Sequence, residues 1–356
     1  MKANAGEVYT VYNQYLKRYT ACQVAYIVPS DTVSEQPWAV VLSLDWAGDA
    51  PLTAEELPHL RPLYKDFMYW PRDLHLLRVP VKIPPQYTLV GILPSFTDEP
   101  CHSYGGWDNG YEVYLQMRWQ AIPEKRRRAF KEAMESDGKT EIGGIPLKVS
   151  SHRVMDQYAP FDSALELKAL PCLSDLICER WHPELLEILR GNPFLDELTL
   201  LSHGQRTLDL RGTSIRKLML DVTGLEELWL GEDTEQLLFQ NKGQDDCTIH
   251  APEDGGGLTL QFIGEYRPHT ELPNLWGLHG IQLKGFDLTG LATVHPHLKE
   301  LRLWGAPGNL GNFSAVGGFR ELTNLSTFDL FGFGADDIPT PEQMPELRWF
   351  WMTSLP

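Results

Sequence analysis

Within residues 198–231, LTLLSHGQRTLDLRGTSIRKLMLDVTGLEELWLG, apolar residues return as leucine-any-leucine pairs: Leu198/Leu200, Leu208/Leu210, Leu218/Leu220 and Leu228/Leu230. Alternation inside a pair is the period of a β-strand, which turns both leucines to one face and the residue between them to the other. Successive pairs stand ten residues apart. Ten residues are too few for a whole solenoid coil around a side-chain core, but they fit half of a coil of about 20. Leu208/Leu210 and Leu228/Leu230 are therefore expected on the wall opposite Leu198/Leu200 and Leu218/Leu220. Gly204, Gly212, Gly224 and Gly231 lie between or beside the pairs, where a coil must turn.

A longer form of the pattern, leucine-any-any-leucine-any-leucine, extends over the C-terminal half. It reads at Leu173/Leu176/Cys178, Leu195/Leu198/Leu200, Ile215/Leu218/Leu220, Leu278/Ile281/Leu283, Leu298/Leu301/Leu303, Leu325/Phe328/Leu330 and Leu347/Phe350/Met352. Weaker coils fit at Leu238 and at Leu258/Leu260. Starts about 20 to 27 residues apart are the period of leucine-rich repeats. In this register the residues beside the leucines form one outward face: Met219, Asp221, Phe239, Glu300, Arg302, Trp304, Asp329, Phe331, Trp349 and Trp351. Large aromatics with Arg and acidic neighbours have the composition of a protein-binding surface. Trp349 and Trp351 could instead cap the open end of the solenoid. Trp229 falls on the other wall.

The first 120 residues carry a different pattern. EVYTVYNQY, ACQVAYIVP, PWAVVLSLDW, HLLRVPVKI, YTLVGILPSF and YEVYLQMRW are short, β-branched or aromatic runs bounded by Pro, Gly or Asp, and predict a small antiparallel sheet or barrel. TAEELPHLRPLYKDF predicts a short helix opened by a Thr53/Glu56 capping box. PEKRRRAFKEAMESDG predicts a second, with Pro123 in its first turn and Gly138 at its end. The expectation is an α+β chain: a small β-rich domain over residues 1–150 with a C-terminal helix, then a leucine-rich-repeat-like parallel β solenoid over 165–356.

Charge separates the halves. The net charge is -17 over 356 residues; residues 1–150 hold 16 basic and 18 acidic side chains, and residues 151–356 hold 15 and 30. An acidic solenoid repels nucleic acid and anionic membrane and attracts a basic partner. No apolar run is long enough to span a bilayer, and MKANAGEVYTVYNQY lacks the apolar stretch of a secretory signal. The five scattered cysteines fit no zinc spacing and read as reduced thiols, which places the chain in the cytoplasm.

No catalytic residue, cofactor site or metal site emerges. Cys101, His102 and Asp108 are close in sequence but belong to a glycine-rich loop whose side chains have no reason to converge. His295 and His297 would share a strand face without a third ligand. Neither GxSxG nor a phosphate-binding glycine fingerprint occurs. The basic run KRRRAFK at 125–131 reads as a solvated helix face in a near-neutral domain, or as a patch docked on the acidic solenoid.

The opening AGEVYTVYNQYLKRYTACQVAYIV resembles the start of immunity-protein domains from bacterial polymorphic-toxin systems. Gly6, Glu7, Val8 and Tyr9 match the Gly-acidic-hydrophobic first strand of that family, and Gln23 and Val24 match its Gly-Gln-hydrophobic step, with Cys22 where the family has glycine. The remainder resembles bacterial leucine-rich-repeat proteins. The resemblance implies a cytoplasmic, non-enzymatic immunity protein that binds and neutralises a cognate protein toxin with a basic surface. The alternative is a leucine-rich-repeat scaffold that recruits another cellular protein.

Overall fold

The structure is a computed structural model and describes all residues except 14–15, 30–36, 108–109, 241–246, 265–269, 284–285, 289, 306–309, 312, 329–335, 337 and 354–356. Its contacts divide the chain into two units, Met1–Met134 and Glu135–Pro356.

The first unit is built on a five-stranded antiparallel sheet in the order Leu76–Pro80, Trp38–Gly48, Arg18–Val28, Glu7–Asn13, Thr88–Ile92. Both faces are covered, which is why the three central strands read as near-continuous apolar runs rather than strict alternation. Tyr9, Cys22, Val24 and Val41 lie in one layer with Tyr87 and Trp107. Val8, Ala21, Leu42 and Leu44 lie in the other with Leu52, Leu57 and Leu60. Trp107 meets Tyr9 and Tyr87 edge-on at 5.8 and 5.2 Å and donates its ring N–H to Pro80 O at 2.7 Å.

The residues that carry the family resemblance have structural work here. Gly6 takes φ +86°, and a Cβ there would stand 2.7 Å from the Leu93 carbonyl oxygen. The Glu7 carboxylate accepts from Asn4 N at 2.7 Å and from Tyr9 OH at 2.6 Å. Gln23, fully buried, donates to Pro94 O and accepts from Phe96 N, both at 3.0 Å. Each pins a loop to the sheet.

The second unit is a parallel solenoid with a ten-stranded sheet. Its strands are Arg153–Met155, Asp175–Cys178, Glu197–Leu200, Lys217–Leu220, Gln236–Phe239, Thr259–Ile263, Gly277–Leu283, Glu300–Gly305, Asn324–Phe328 and Trp349–Met352. Their register stacks Leu176, Leu198, Leu218, Leu237, Leu260, Leu278, Leu301 and Leu325 in one inward column. The ten-residue beat resolves as inferred from spacing: Thr207–Asp209, Glu227–Trp229 and Thr248–His250 form a separate three-stranded parallel sheet, with Leu208, Leu228 and Ile249 stacked and buried. One apolar core runs from Ile142 to Met344. Polar clamps tie neighbouring coils: Arg216 donates to both oxygens of Asp196, at 2.5 and 2.6 Å, and to Glu235 at 3.1 Å. Asn192 Nδ2 donates to Leu173 O at 2.9 Å.

Several expectations change. YEVYLQMRW is not a strand but part of the helix Gly110–Ala121, whose buried residues Gly110, Val113, Gln116 and Trp119 recur at helical spacing. TAEELPHLRPLYKDF yields only a single helical turn, Leu57–His59, because Pro58 and Pro62 deny it further backbone donors. Thr53 N does donate to the Glu56 carboxylate at 2.9 Å. The second helix, Glu124–Glu135, closes the first unit, whereas the hairpin of Lys139–Ile142 and Ile145–Lys148 falls in the second, with Ile142 in the solenoid core. The division therefore lies before residue 150.

A buried polar row in the first unit sets a pH response. Ser43 Oγ lies 2.8 Å from His75 Nδ1, and His75 Nε2 lies 3.5 Å from Glu112. A neutral ring protonated at Nε2 fits both contacts. Burial, aided by the Lys65 charge, pushes its pKa from 6.5 down to about 3. Between those values the unfolded chain binds the extra proton, so stability falls as pH drops from about 6.5 toward 3. Urea unfolding from about pH 7 to 4 measures that slope. His75→Asn, which keeps an acceptor near the Nδ1 position, should remove the His75 part of it; an unchanged slope contradicts the assignment.

Candidate protein-binding face

Because strand neighbours share a direction, the ladder register sorts the solenoid's outward residues into columns. Asp175, Glu197, Lys217, Gln236, Thr259, Gly277, Glu300, Asn324 and Trp349 form one. Ile177, Thr199, Met219, Leu238, Gln261, His279, Arg302, Ser326 and Trp351 form the next. Ile263, Ile281, Trp304 and Phe328 form a third, found only in the later coils, whose strands are longer. Early coils carry opposite charges in the first column, with Lys217 Nζ 2.6 Å from Glu197. Such pairs hold adjacent coils but add little free energy at the surface.

The columns converge at the C-terminal coils on a run of aromatic rings. Trp304 and Phe328 centroids stand 5.8 Å apart, Phe328 and Trp351 4.3 Å edge-on, and Trp351 and Trp349 6.2 Å. Trp304, Trp349 and Trp351 remain 53%, 48% and 44% exposed. Beside them Glu300 is buried; it accepts from His279 Nε2 at 2.6 Å and forms an ion pair with Arg302 Nε, also at 2.6 Å. Burial raises the Glu300 pKa, but the bonds from His279 and Asn324 and the nearby Arg302 charge outweigh it and hold the carboxyl below its usual value. The Arg302 guanidinium is thus fixed at one end and half-exposed at the other, among tryptophans that give up little side-chain entropy on binding.

Of the ten residues named from spacing, Glu300, Arg302, Trp304, Trp349 and Trp351 meet in this corner. Met219 shares the Arg302 column several coils away, where Gln240 Nε2 approaches its sulfur. Asp221 faces outward but is used in its own turn, accepting from Thr223 N and Oγ1 at 2.9 and 2.7 Å. Phe239 is a correction. It stacks on Leu220 in the core, and Leu238 takes the outward position. Asp329 and Phe331 lie outside the described residues.

Phe328, which spacing placed inward, is the face residue that the sequence pattern missed. LTNLSTFDL admits two overlapping registers, and the structure takes Leu322/Leu325/Thr327, with Leu325 opposite Leu301 and Phe328 opposite Trp304. Thr327 is fully buried, and among the described residues its hydroxyl has no hydrogen-bond partner. A polar residue at the third inward position disguised the true register. The same three-residue shift applies at Leu278, which stacks on Leu260 and Leu301. There the third inward position is Gly280, where a Cβ would stand 2.8 Å from the Phe262 ring. Trp349 and Trp351 face outward, and the residue in the leucine column of the last coil is Phe350, still 42% exposed.

Other motifs resolve without convergence. Cys101 is buried, His102 is exposed, and Asp108 lies outside the described residues. His295 is buried with Nδ1 against Leu272 O, whereas His297 is exposed and pairs with Glu321, so the two share no face. Ser43, His75 and Glu112 line up as hydroxyl, imidazole and carboxylate, a row no motif signalled, but Ser43 is fully buried inside its strand and out of reach of any external substrate. The 125–131 run lies on a helix whose Phe130 packs edge-on against Trp119 and whose Lys131 donates to Trp70 O at 2.8 Å. Trp229 sits on the second wall, stacked on His250 at 3.7 Å under Arg211. Among the described residues no three His, Cys, Asp or Glu side chains are grouped to hold a metal ion, and no helix is long and apolar enough to cross a membrane.

No family model and no curated protein matches this sequence. Among solved structures the chain is similar to an internalin from Listeria monocytogenes, at 14% identity over 59% of this chain and 76% of that one, with a TM-score of 0.25. The chain's own strand register, rather than that overlap, defines its architecture.

Glu300→Gln tests the corner's wiring. Loss of the charge should destabilise the solenoid by about 1–3 kcal/mol at neutral pH, since the bond from His279 and the ion pair with Arg302 both lose their anion. A group with a lowered folded pKa stabilises above its unfolded value and loses that contribution as pH falls through the folded one. The wild type should therefore approach the variant's stability as pH falls below the ordinary carboxylate range, and a gap that does not narrow in acid contradicts the pairing.

Proposed function

We propose that the chain is a protein-binding scaffold whose solenoid docks a protein partner at the corner formed by Arg302, Trp304, Phe328, Trp349 and Trp351. The supporting observation is the run of half-exposed aromatic rings on three adjacent parallel strands beside a fixed guanidinium. Aromatic and Arg side chains dominate binding energy at protein interfaces, and contiguous exposed apolar surface on a soluble protein marks such a site. The chain acts by occupancy, without catalysis or a cofactor, and in the cytoplasm, where its five buried cysteines stay reduced. The acidic second half favours a partner with a basic surface, and added salt should slow their association.

The narrower form of the proposal makes the partner a toxin and the chain its immunity protein. It rests on the Gly6–Tyr9 and Gln23–Val24 pattern, residues that the fold already uses to pin loops. Co-expression with the product of the adjacent gene separates the two forms: a protected cell supports the toxin, and an unprotected one leaves the scaffold.

A photo-crosslinking residue at position 304 or 351 should trap one protein in cells, and the same residue at 229 on the opposite wall should not. With that protein purified, Trp304→Ala should weaken binding by about tenfold or more. The thermal transition should shift little, because the ring is half in solvent. Unchanged affinity in Trp304→Ala and Trp351→Ala would remove this corner as the site.

A further inference from the structure

The first unit contains a cleft of about 380 Å³ walled by residues 64–76 and 99–103. That size is within the usual range for small-molecule sites, about 300–1,000 Å³. One wall is a short hairpin in which Tyr64 and Lys65 pair with Leu74 and Asp73 across a seven-residue loop. The other wall is braced: Tyr26 OH donates to Glu99 O at 2.8 Å and accepts from Cys101 N at 3.1 Å, and Arg78 N donates to Ser103 O at 2.7 Å. Both walls are held by the sheet.

Lys65 lines this cleft and is only 8% exposed. Its Nζ sits 3.5 Å over the Trp70 ring. Glu112 and Asp73 act on it through space, yet among the described residues no oxygen hydrogen-bonds this ammonium. An ammonium carries three donors, and buried charge is normally paired. Burial accordingly holds its pKa below the usual lysine value. At the rim Arg72, with φ +72°, is held over the Tyr64 ring at 5.3 Å. The wall thus offers two aromatic rings, apolar Leu74, Leu76 and Pro100, and a cation short of acceptors.

We propose that this cleft binds a small aromatic monocarboxylate, its carboxylate on Lys65 Nζ and its flat body against Tyr64 and Trp70. A neutral ligand that displaced water from the cleft would leave the ammonium's donors unmet. A phosphate dianion would meet Asp73 and Glu99 in the cleft and the Glu112 charge that already acts on Lys65, so a single negative charge fits best. The site is independent of the solenoid corner, and neither assignment depends on the other.

Calorimetry on the full chain tests it with indole-3-acetate and benzoate as probes, and indole-3-acetamide and inorganic phosphate as comparisons. A carboxylate should bind saturably, at least about tenfold tighter than the amide or phosphate, and Lys65→Met should lose at least about tenfold of that affinity. Lys82→Met, at an exposed lysine outside the cleft wall, should bind as the wild type does. Reductive methylation of the wild type, read by peptide mass, needs no variant: saturating indole-3-acetate should protect Lys65 and leave Lys82 unprotected. The proposal is overturned by absence of saturable carboxylate binding, by phosphate or the amide binding as tightly, by Lys65→Met binding normally, or by equal labelling of Lys65 with and without ligand.

Discussion

The inward column that runs from Val154 through eight leucines to Phe350 is the contact on which the second unit depends. Each coil stacks one column residue on the next, and no coil could bury its apolar edge alone. The intervals vary from 18 residues between Leu260 and Leu278 to 25 between Leu325 and Phe350, yet the column is unbroken. Length differences are taken up in the connections, where they cost little. Once the column is fixed, strand alternation leaves the intervening residues no choice of side. The face at Arg302 and Trp304 is a consequence of packing the leucines.

That division of labour explains the distribution of polar groups. Charges that lie between coils serve the stack, as when the buried Arg216 joins Asp196 of one neighbour to Glu235 of the next. Glu300 does something different: held ionised by His279 and Arg302, it fixes a guanidinium at the edge of the aromatic corner. The first unit uses the same logic with other elements. Its sheet is covered on both sides largely by loops, so single polar side chains such as Gln23 and Glu7 set the path of the covering chain.

Legibility in the sequence followed the strength of the period. The second wall at Leu208 and Leu228 was readable because leucine, glycine and ten-residue spacing agreed. Five strands of the first unit were readable from their β-branched and aromatic runs. The helix Gly110–Ala121 was not, since its tyrosines and tryptophan favour strands and only its tertiary packing selects the helical period. On the solenoid face, Phe328 was hidden because Thr327 occupies a core position normally held by a leucine. Phe239 was misplaced because two adjacent leucines, Leu237 and Leu238, allowed either register. Lys65 carried no signal at all, because its burial comes from a hairpin and a distant loop that meet only in the fold.

The two leucines at 237 and 238 also provide the most direct test of the ladder. They are adjacent and chemically identical, and the register sends Leu237 into the column against Leu218 and Leu260 and Leu238 to the outward face. Equilibrium unfolding of Leu237→Ala should show a loss of about 2–5 kcal/mol, the range for an emptied core site. Leu238→Ala should cost no more than about 1 kcal/mol. Equal losses, or a larger loss at Leu238, would mean that the column does not run through Leu237, and the outward face drawn from it would fall as well.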